Sequence, residues 1–204
     1  MNLTRRAFVA SGATALGLSA ASAQAGTLEF ASLLLDREPF PVQDPSTIEI
    51  GEEFRRQLVQ YSTDERVGTV IVDPSNHFLY LVMEAGMALR YGVGVGREGF
   101  EWKGASRVAR KAKWPTWTPP LSMIKRQPEL AIYATGMAGG PDNPMGARAL
   151  YLYDGPVDTL YRIHGTHEPW SIGTSMSSGC IRMLNYEVID LYRRVPVGAR
   201  VVVL

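Results

Sequence analysis

A single cysteine stands in the 204 residues, so no intramolecular disulfide can form and the stapled frameworks of small secreted domains do not apply. Charge of one sign is also missing. There are 21 basic and 20 acidic residues, a formal net charge of +1, which gives no global field for nucleic acid. No internal repeat and no coenzyme fingerprint is found. The apolar run near the N-terminus is broken by Gly12, Gly17 and several serines, and falls short of the ~20 residues that cross a bilayer. These absences remove repeat arrays, nucleotide-cofactor folds, nucleic-acid binders and spanning proteins.

What is present suits a soluble domain: 46% hydrophobic and 20% charged residues, punctuated by 20 glycines and 13 prolines. So many turn residues favour short strands over a helix bundle. Residues 1–25 read as an export signal. Arg5-Arg6 precedes a mild run of Ala, Gly and Ser that ends at Ala23-Gln24-Ala25, and the paired arginines suit the twin-arginine route. No acidic residue precedes Gly26, so a chain starting there carries 19 basic and 20 acidic residues, a net −1. No cysteine near that point offers a lipid attachment site. The expected mature protein is soluble and periplasmic, with no membrane span after processing.

Residues 26–66 read as an irregular arm, with prolines at 39, 41 and 45 and a possible short helix from Glu52 to Tyr61. From residue 67 the pattern turns to strands. Val67–Val72 and His77–Met83 flank the turn Asp73-Pro74-Ser75-Asn76 as a hairpin, and Ala88–Val95 follows. The basic stretch Lys103–Lys113 reads as a solvated edge strand or loop. Trp114–Pro120 holds three prolines and cannot be a regular central strand. Gly136–Gly146 is loop-like, and strands are expected at Ala149–Tyr153 and Thr159–His164. A helix is expected from near Tyr186 to Arg194, capped by Asn185, with Val188, Leu191, Tyr192 and Val195 as its buried stripe. A strand at Val201–Leu204 closes a β-rich single domain.

The lone thiol, Cys180, would be at risk of oxidation in an oxidising compartment, so it is either needed for chemistry or buried as a small hydrophobe. It follows Gly179 and precedes the expected helix, where unpaired N–H groups would lower its pKa. N–H groups of Gly179 and Cys180 could face a developing oxyanion. His164 and His167 lie close upstream, and a strand ending at His164 could bring imidazole to thiol. Alternatively, His164, His167 and Cys180 could ligate zinc, although Gly165-Thr166 breaks the helical spacing of common metalloprotease motifs.

The run Ile163-His164-Gly165-Thr166, a loop, and Ser177-Ser178-Gly179-Cys180-Ile181-Arg182-Met183 resembles the signature of the L,D-transpeptidase catalytic domain, the YkuD-type family. The likeness extends over residues 67–204 and includes Val93–Gly96, Trp114–Pro120 and Asn143–Arg148. It implies a mainly β, sandwich-type domain with one or two flanking helices. Cys180 matches the nucleophile, His164 the general base and Gly165 the carbonyl that orients the imidazole. Ser178 and Gly179 match the motif around the nucleophile. Arg182 is expected to contact a substrate carboxylate or to hold the turn. His167 stands where an Asn is frequent and is given no catalytic role. The resemblance further implies peptidoglycan stem peptides as partners, a thioester intermediate, transfer to an amine, and no metal or organic cofactor. Water, a lipoprotein amine or a free D-amino acid remain possible acceptors within the family, and a silent cell-wall binding domain is the alternative outside enzymes.

Overall fold

A computed structural model describes residues 38–97, 102–177 and 179–204. The proposed signal, residues 1–25, the start of the arm and Ser178 lie outside the described residues. Eleven strands are described: β1 (Gln57–Gln60), β2 (Val70–Asp73), β3 (Phe78–Val82), β4 (Met87–Gly92), β5 (Val95–Gly96), β6 (Gly104–Lys113), β7 (Arg148–Asp154), β8 (Val157–Gly165), β9 (Ser175–Ser177), β10 (Ile181–Met183) and β11 (Arg200–Val203). Two α-helices, α1 (Leu121–Arg126) and α2 (Asn185–Arg194), join them, with short 3₁₀ turns between.

Nine strands form one mixed sheet in the order β1-β4-β3-β2-β11-β6-β7-β8-β10. The β2/β11 and β8/β10 pairs are parallel and the other neighbours antiparallel. An antiparallel bridge between Arg182 and Gly94 brings the β10 edge back to the chain just past β4. A Cβ at residue 94 would overlap the Ser171 carbonyl, so glycine permits this closure. The sheet thereby wraps a core of Val70, Val72, Leu79, Tyr91, Leu150, Leu152, Ile163, Ile181 and Met183, completed by Val188 and Leu191 of α2 and by Val195 at its C-cap. This is the expected mainly β, sandwich-type architecture with few helices.

Several expectations need correction. Glu52–Tyr61 is not a helix: only Glu52–Phe54 turn, as a 3₁₀ element, and Gln57–Gln60 then pairs with β4 at the sheet's edge. Cross-strand pairing there outweighs the weak local helical preference. The basic stretch is a strand, but an interior one between β11 and β7. Its charges are tolerated because they point away from the core or find acceptors, as Lys111 does at the carbonyls of Tyr192 and Val195. The N-cap of α2 is Leu184, with no side-chain cap bond, and Asn185 is the first helical residue, its amide employed elsewhere.

Candidate active site

β8 and β10 run side by side, with Ile163 opposite Ile181 and His164 opposite Arg182. Ile163 and Ile181 enter the main core. Strand alternation therefore sends Arg162, His164 and Arg182 to the other face, and Cys180 immediately precedes β10. On that face Ala149 of β7 lies opposite His164, and Met145, Ala149 and Tyr151 pack with Ala112, Trp117 and Tyr153 into a second apolar cluster. The register thus sets Cys180, one residue before β10, beside Arg162 of β8, two residues before His164.

His164 is buried, and its Nδ1 lies 2.6 Å from the Gly165 carbonyl. An N–H donated there leaves Nε2 as the lone-pair nitrogen. Burial pushes the imidazole pKa down to about 4; the Gly165 bond opposes the shift, and the Arg182 and Arg162 charges add to it. Burial likewise pushes the Cys180 thiol up, against the lowering effects of the Arg162 backbone N–H and the Arg162 and Arg182 guanidinium groups. The resting pair is therefore neutral thiol and neutral imidazole. This corrects the expectation of a thiol acidified by a helix N-terminus: Cys180 leads into β10, and α2 begins only at Asn185. The thiol points to the Leu160 carbonyl at 3.8 Å.

Around Cys180 the turn is closed by Ser177, whose Oγ donates to the Cys180 carbonyl at 2.6 Å and accepts the Gly179 N–H at 3.1 Å. The Gly179 N–H is thus engaged within the turn, leaving the Cys180 N–H as the remaining oxyanion candidate from the sequence reading. Gly179 has φ 116°, a conformation that side-chain-bearing residues rarely adopt. Arg182 donates to Glu168 Oε2 at 2.7 Å, and its backbone pairs with Gly94. It is therefore tied into the wall of the site, with its side chain mostly buried.

Residues that sequence reasoning passed over hold this geometry. The buried Asn185 accepts the Ala147 N–H at 2.8 Å and donates to the Thr166 carbonyl at 3.0 Å, locking the segment after His164 to the loop before β7. A Cβ at Gly165 or Gly146 would overlap the Asn185 amide oxygen. Asn143, fully buried, places Nδ2 within 3.0–3.1 Å of the carbonyls of Pro115, Met137 and Ala138 and so fixes the Trp114–Pro120 wall. The Asn–Pro–Met–Gly–Ala–Arg run was a signal for it; Asn185 was legible only as a helix cap. Arg162, which donates to both Asp158 oxygens at 2.6 and 2.8 Å, had no signal beyond strand periodicity. Among the described residues no group of three His, Cys, Asp or Glu could hold a metal ion. The Gly165 carbonyl occupies His164 Nδ1.

The family model for the L,D-transpeptidase catalytic domain matches residues 68–203. The chain is 38% identical over 118 residues to the probable L,D-transpeptidase YbiS of Escherichia coli, a match covering 53% of this chain and 35% of that one. It therefore spans about a third of that relative's length. Among solved structures, a Brucella melitensis protein described as a probable carnitine operon oxidoreductase is 48% identical, with TM-score 0.53, covering 76% of this chain and 96% of that one. An L,D-transpeptidase from Mycobacterium smegmatis shares the fold at 17% identity and TM-score 0.50, covering 67% of this chain and 58% of that one. With the family model matching well over half of its residues, the chain belongs to the L,D-transpeptidase catalytic domain family.

Proposed function

We propose that this protein is a peptidoglycan L,D-transpeptidase in which Cys180 is the nucleophile and His164 the general base. The observation that carries this is the pairing of β10 with β8, which brings the segment holding the only thiol beside the strand whose imidazole is oriented through Nδ1 by the Gly165 carbonyl. That arrangement and the family match favour acyl transfer over the oxidoreductase named in the Brucella protein's description.

The neutral resting pair defines the order of events. The Cys180 side chain turns from the Leu160 carbonyl toward His164 Nε2, which takes the thiol proton as sulfur attacks the carbonyl of the third residue of a tetrapeptide stem. Proton transfer of this kind supplies ~10²–10⁴-fold in rate. The tetrahedral oxyanion is met by the Cys180 N–H, and Gly179 sets the turn that aims it. The imidazolium returns its proton to the leaving D-alanine amine, giving a thioester. An amine of a neighbouring stem then attacks, His164 again serves as base, and a 3-3 cross-link leaves with the thiol regenerated. No step uses a metal, so dialysis against a chelator leaves turnover unchanged.

Incubation of the mature protein with disaccharide-tetrapeptide, read by mass, tests this. Cross-linked dimer and free D-alanine are expected; tripeptide alone would make water the acceptor, and unchanged tetrapeptide would refute the activity. We also propose export by the twin-arginine route: Arg5→Lys with Arg6→Lys should strand precursor in the cytoplasm, and normal maturation would contradict it.

A further inference from the structure

Two irregularities in neighbouring strands converge on one aromatic ring of the thiol-bearing face. In β6 the register against β7 shifts between Val108 and Arg110, so that Val108 stays in the core while Arg110 comes opposite Tyr151. In β8 it shifts between the partners of Tyr151 and Tyr153, with Arg162 opposite Tyr151 and Asp158 opposite Tyr153. The chain between them takes Leu160 through φ 63°, costly for a leucine. Bulges of this kind re-aim side chains beside functional sites. Here both place a guanidinium on the Tyr151 ring: Arg110 lies 3.5 Å and Arg162 4.6 Å from its centroid.

The charges around that ring do not balance. Arg162 is neutralised by a bidentate pair with Asp158. Burial pushes the Asp158 carboxyl up, but bonds from Arg162, the Leu160 N–H and Tyr153 outweigh it and hold it below the ordinary range. Arg182 is matched by Glu168. Arg110 is exposed and, among the described residues, has no carboxylate partner. Two cations on one tyrosine, one of them unmatched, make a site that gains by taking up an anion.

Its position relates it to the thiol. Arg110, Tyr151 and Arg162 form a row across β6, β7 and β8, and Cys180, one residue before β10, continues it beside Arg162, whose backbone N–H reaches the thiol. Strands spaced ~4.8 Å apart put the Arg110 backbone about 14 Å from Cys180. Its guanidinium lies over Tyr151, one strand nearer. Two to three extended residues span that gap, at ~3.5 Å each.

We propose that Arg110 is a specificity-determining residue that binds a carboxylate of the acyl donor, two to three residues' reach from the attacked carbonyl. This rests on the acyl-transfer reading for its substrate, but not for its first test. Cys180 is the only thiol, so its alkylation can be followed with bromoacetyl-Gly-Gly and with the same compound amidated at its C-terminus. The acid should react about tenfold faster than the amide, roughly the worth of one charge-assisted hydrogen bond. Arg110→Gln should remove most of that preference with an unchanged melting temperature, and Arg110→Lys should restore part of it. The second test uses tetrapeptide donors with free or amidated carboxylates: Arg110→Gln should raise KM about tenfold for the free acid and leave the amide unchanged. An acid-to-amide ratio unaltered by Arg110→Gln in both tests overturns the proposal even if cross-linking is seen. A ratio that collapses in the alkylation, with no turnover of tetrapeptide, upholds the anion site and overturns the transpeptidase reading instead.

Discussion

His164 owes its behaviour to where strand alternation puts it: on a buried stretch of β8, anchored among the described residues by a carbonyl one residue away. Burial costs the imidazolium far more than the Gly165 carbonyl returns, hence a pKa of about 4 against an ordinary 6.5. The base is therefore unprotonated at every pH above about 5. The account expects kcat/KM to stay level from pH 7 to 5 and to fall only near pH 4; an acidic limb centred near 6.5 would contradict it. Stability follows the same group. The unfolded imidazole takes up a proton near 6.5 and the folded one only near 4, so stability is complete above 6.5 and declines as pH falls through that window. The shift corresponds to roughly 3 kcal/mol at 1.36 kcal/mol per unit. Asn185 is the other decisive residue, since it satisfies two buried backbone groups at once. Asn185→Ala should cost ~2–4 kcal/mol in urea unfolding and lower kcat, because each abandoned group carries a desolvation penalty of 1–3 kcal/mol. A variant of wild-type stability and activity would show that the lock is dispensable.

At the level of elements, α2 does more than fill the core. Of its expected stripe, Val188, Leu191 and, at the C-cap, Val195 are fully buried, while Tyr192 is half-buried against the core. Beside that stripe lie two acids under the arm. Asp190 accepts from Tyr91 at 2.7 Å and pairs with Arg56 and Arg194. Glu187 accepts the Arg56 backbone N–H at 3.0 Å through Oε1, while its buried Oε2 meets no hydrogen-bond partner within normal geometry among the described residues. Burial lifts the Glu187 carboxyl to about 8, only partly opposed by the Arg56 backbone N–H and charge and by the Tyr186 hydroxyl. The unfolded group ionises near 4.5, so from pH 4.5 to 8 the folded state retains a proton the unfolded state has lost, and stability falls as pH rises. Glu187→Gln keeps an acceptor for Arg56 and cannot ionise. Its melting temperature should match wild type near pH 5 and exceed it by several degrees at pH 8.5; a pH-independent difference would refute the buried-acid account.

Across the whole molecule, the sequence revealed most where local pattern and tertiary demand agree. The β2–β3 hairpin, β7, β8, α2 and β11 follow apolar periodicity and turn chemistry. The likeness of the His-Gly-Thr and Ser-Gly-Cys-Ile-Arg segments to a known family supplied the candidate pair directly. What stayed hidden depends on distant partners. β1 exists through pairing with β4, and β10 is too short for periodicity to register. The interior place of β6 is set by topology, and the Arg110–Tyr151–Arg162 arrangement needs two register shifts that alternation alone does not show. The state of the thiol was misjudged for the same reason: nearness to a helix in sequence suggested acidification, whereas burial in the folded protein prevails.

The central claim is a thioester on Cys180. Rapid quenching of the mature protein with tetrapeptide, followed by proteolysis and mass analysis, should show the peptide containing Cys180 carrying the stem less its terminal D-alanine. The same experiment on Cys180→Ala, whose fold should still unfold cooperatively, should show neither adduct nor product. Product formation by Cys180→Ala, or a stem attached to a serine while Cys180 stays free, would contradict the account.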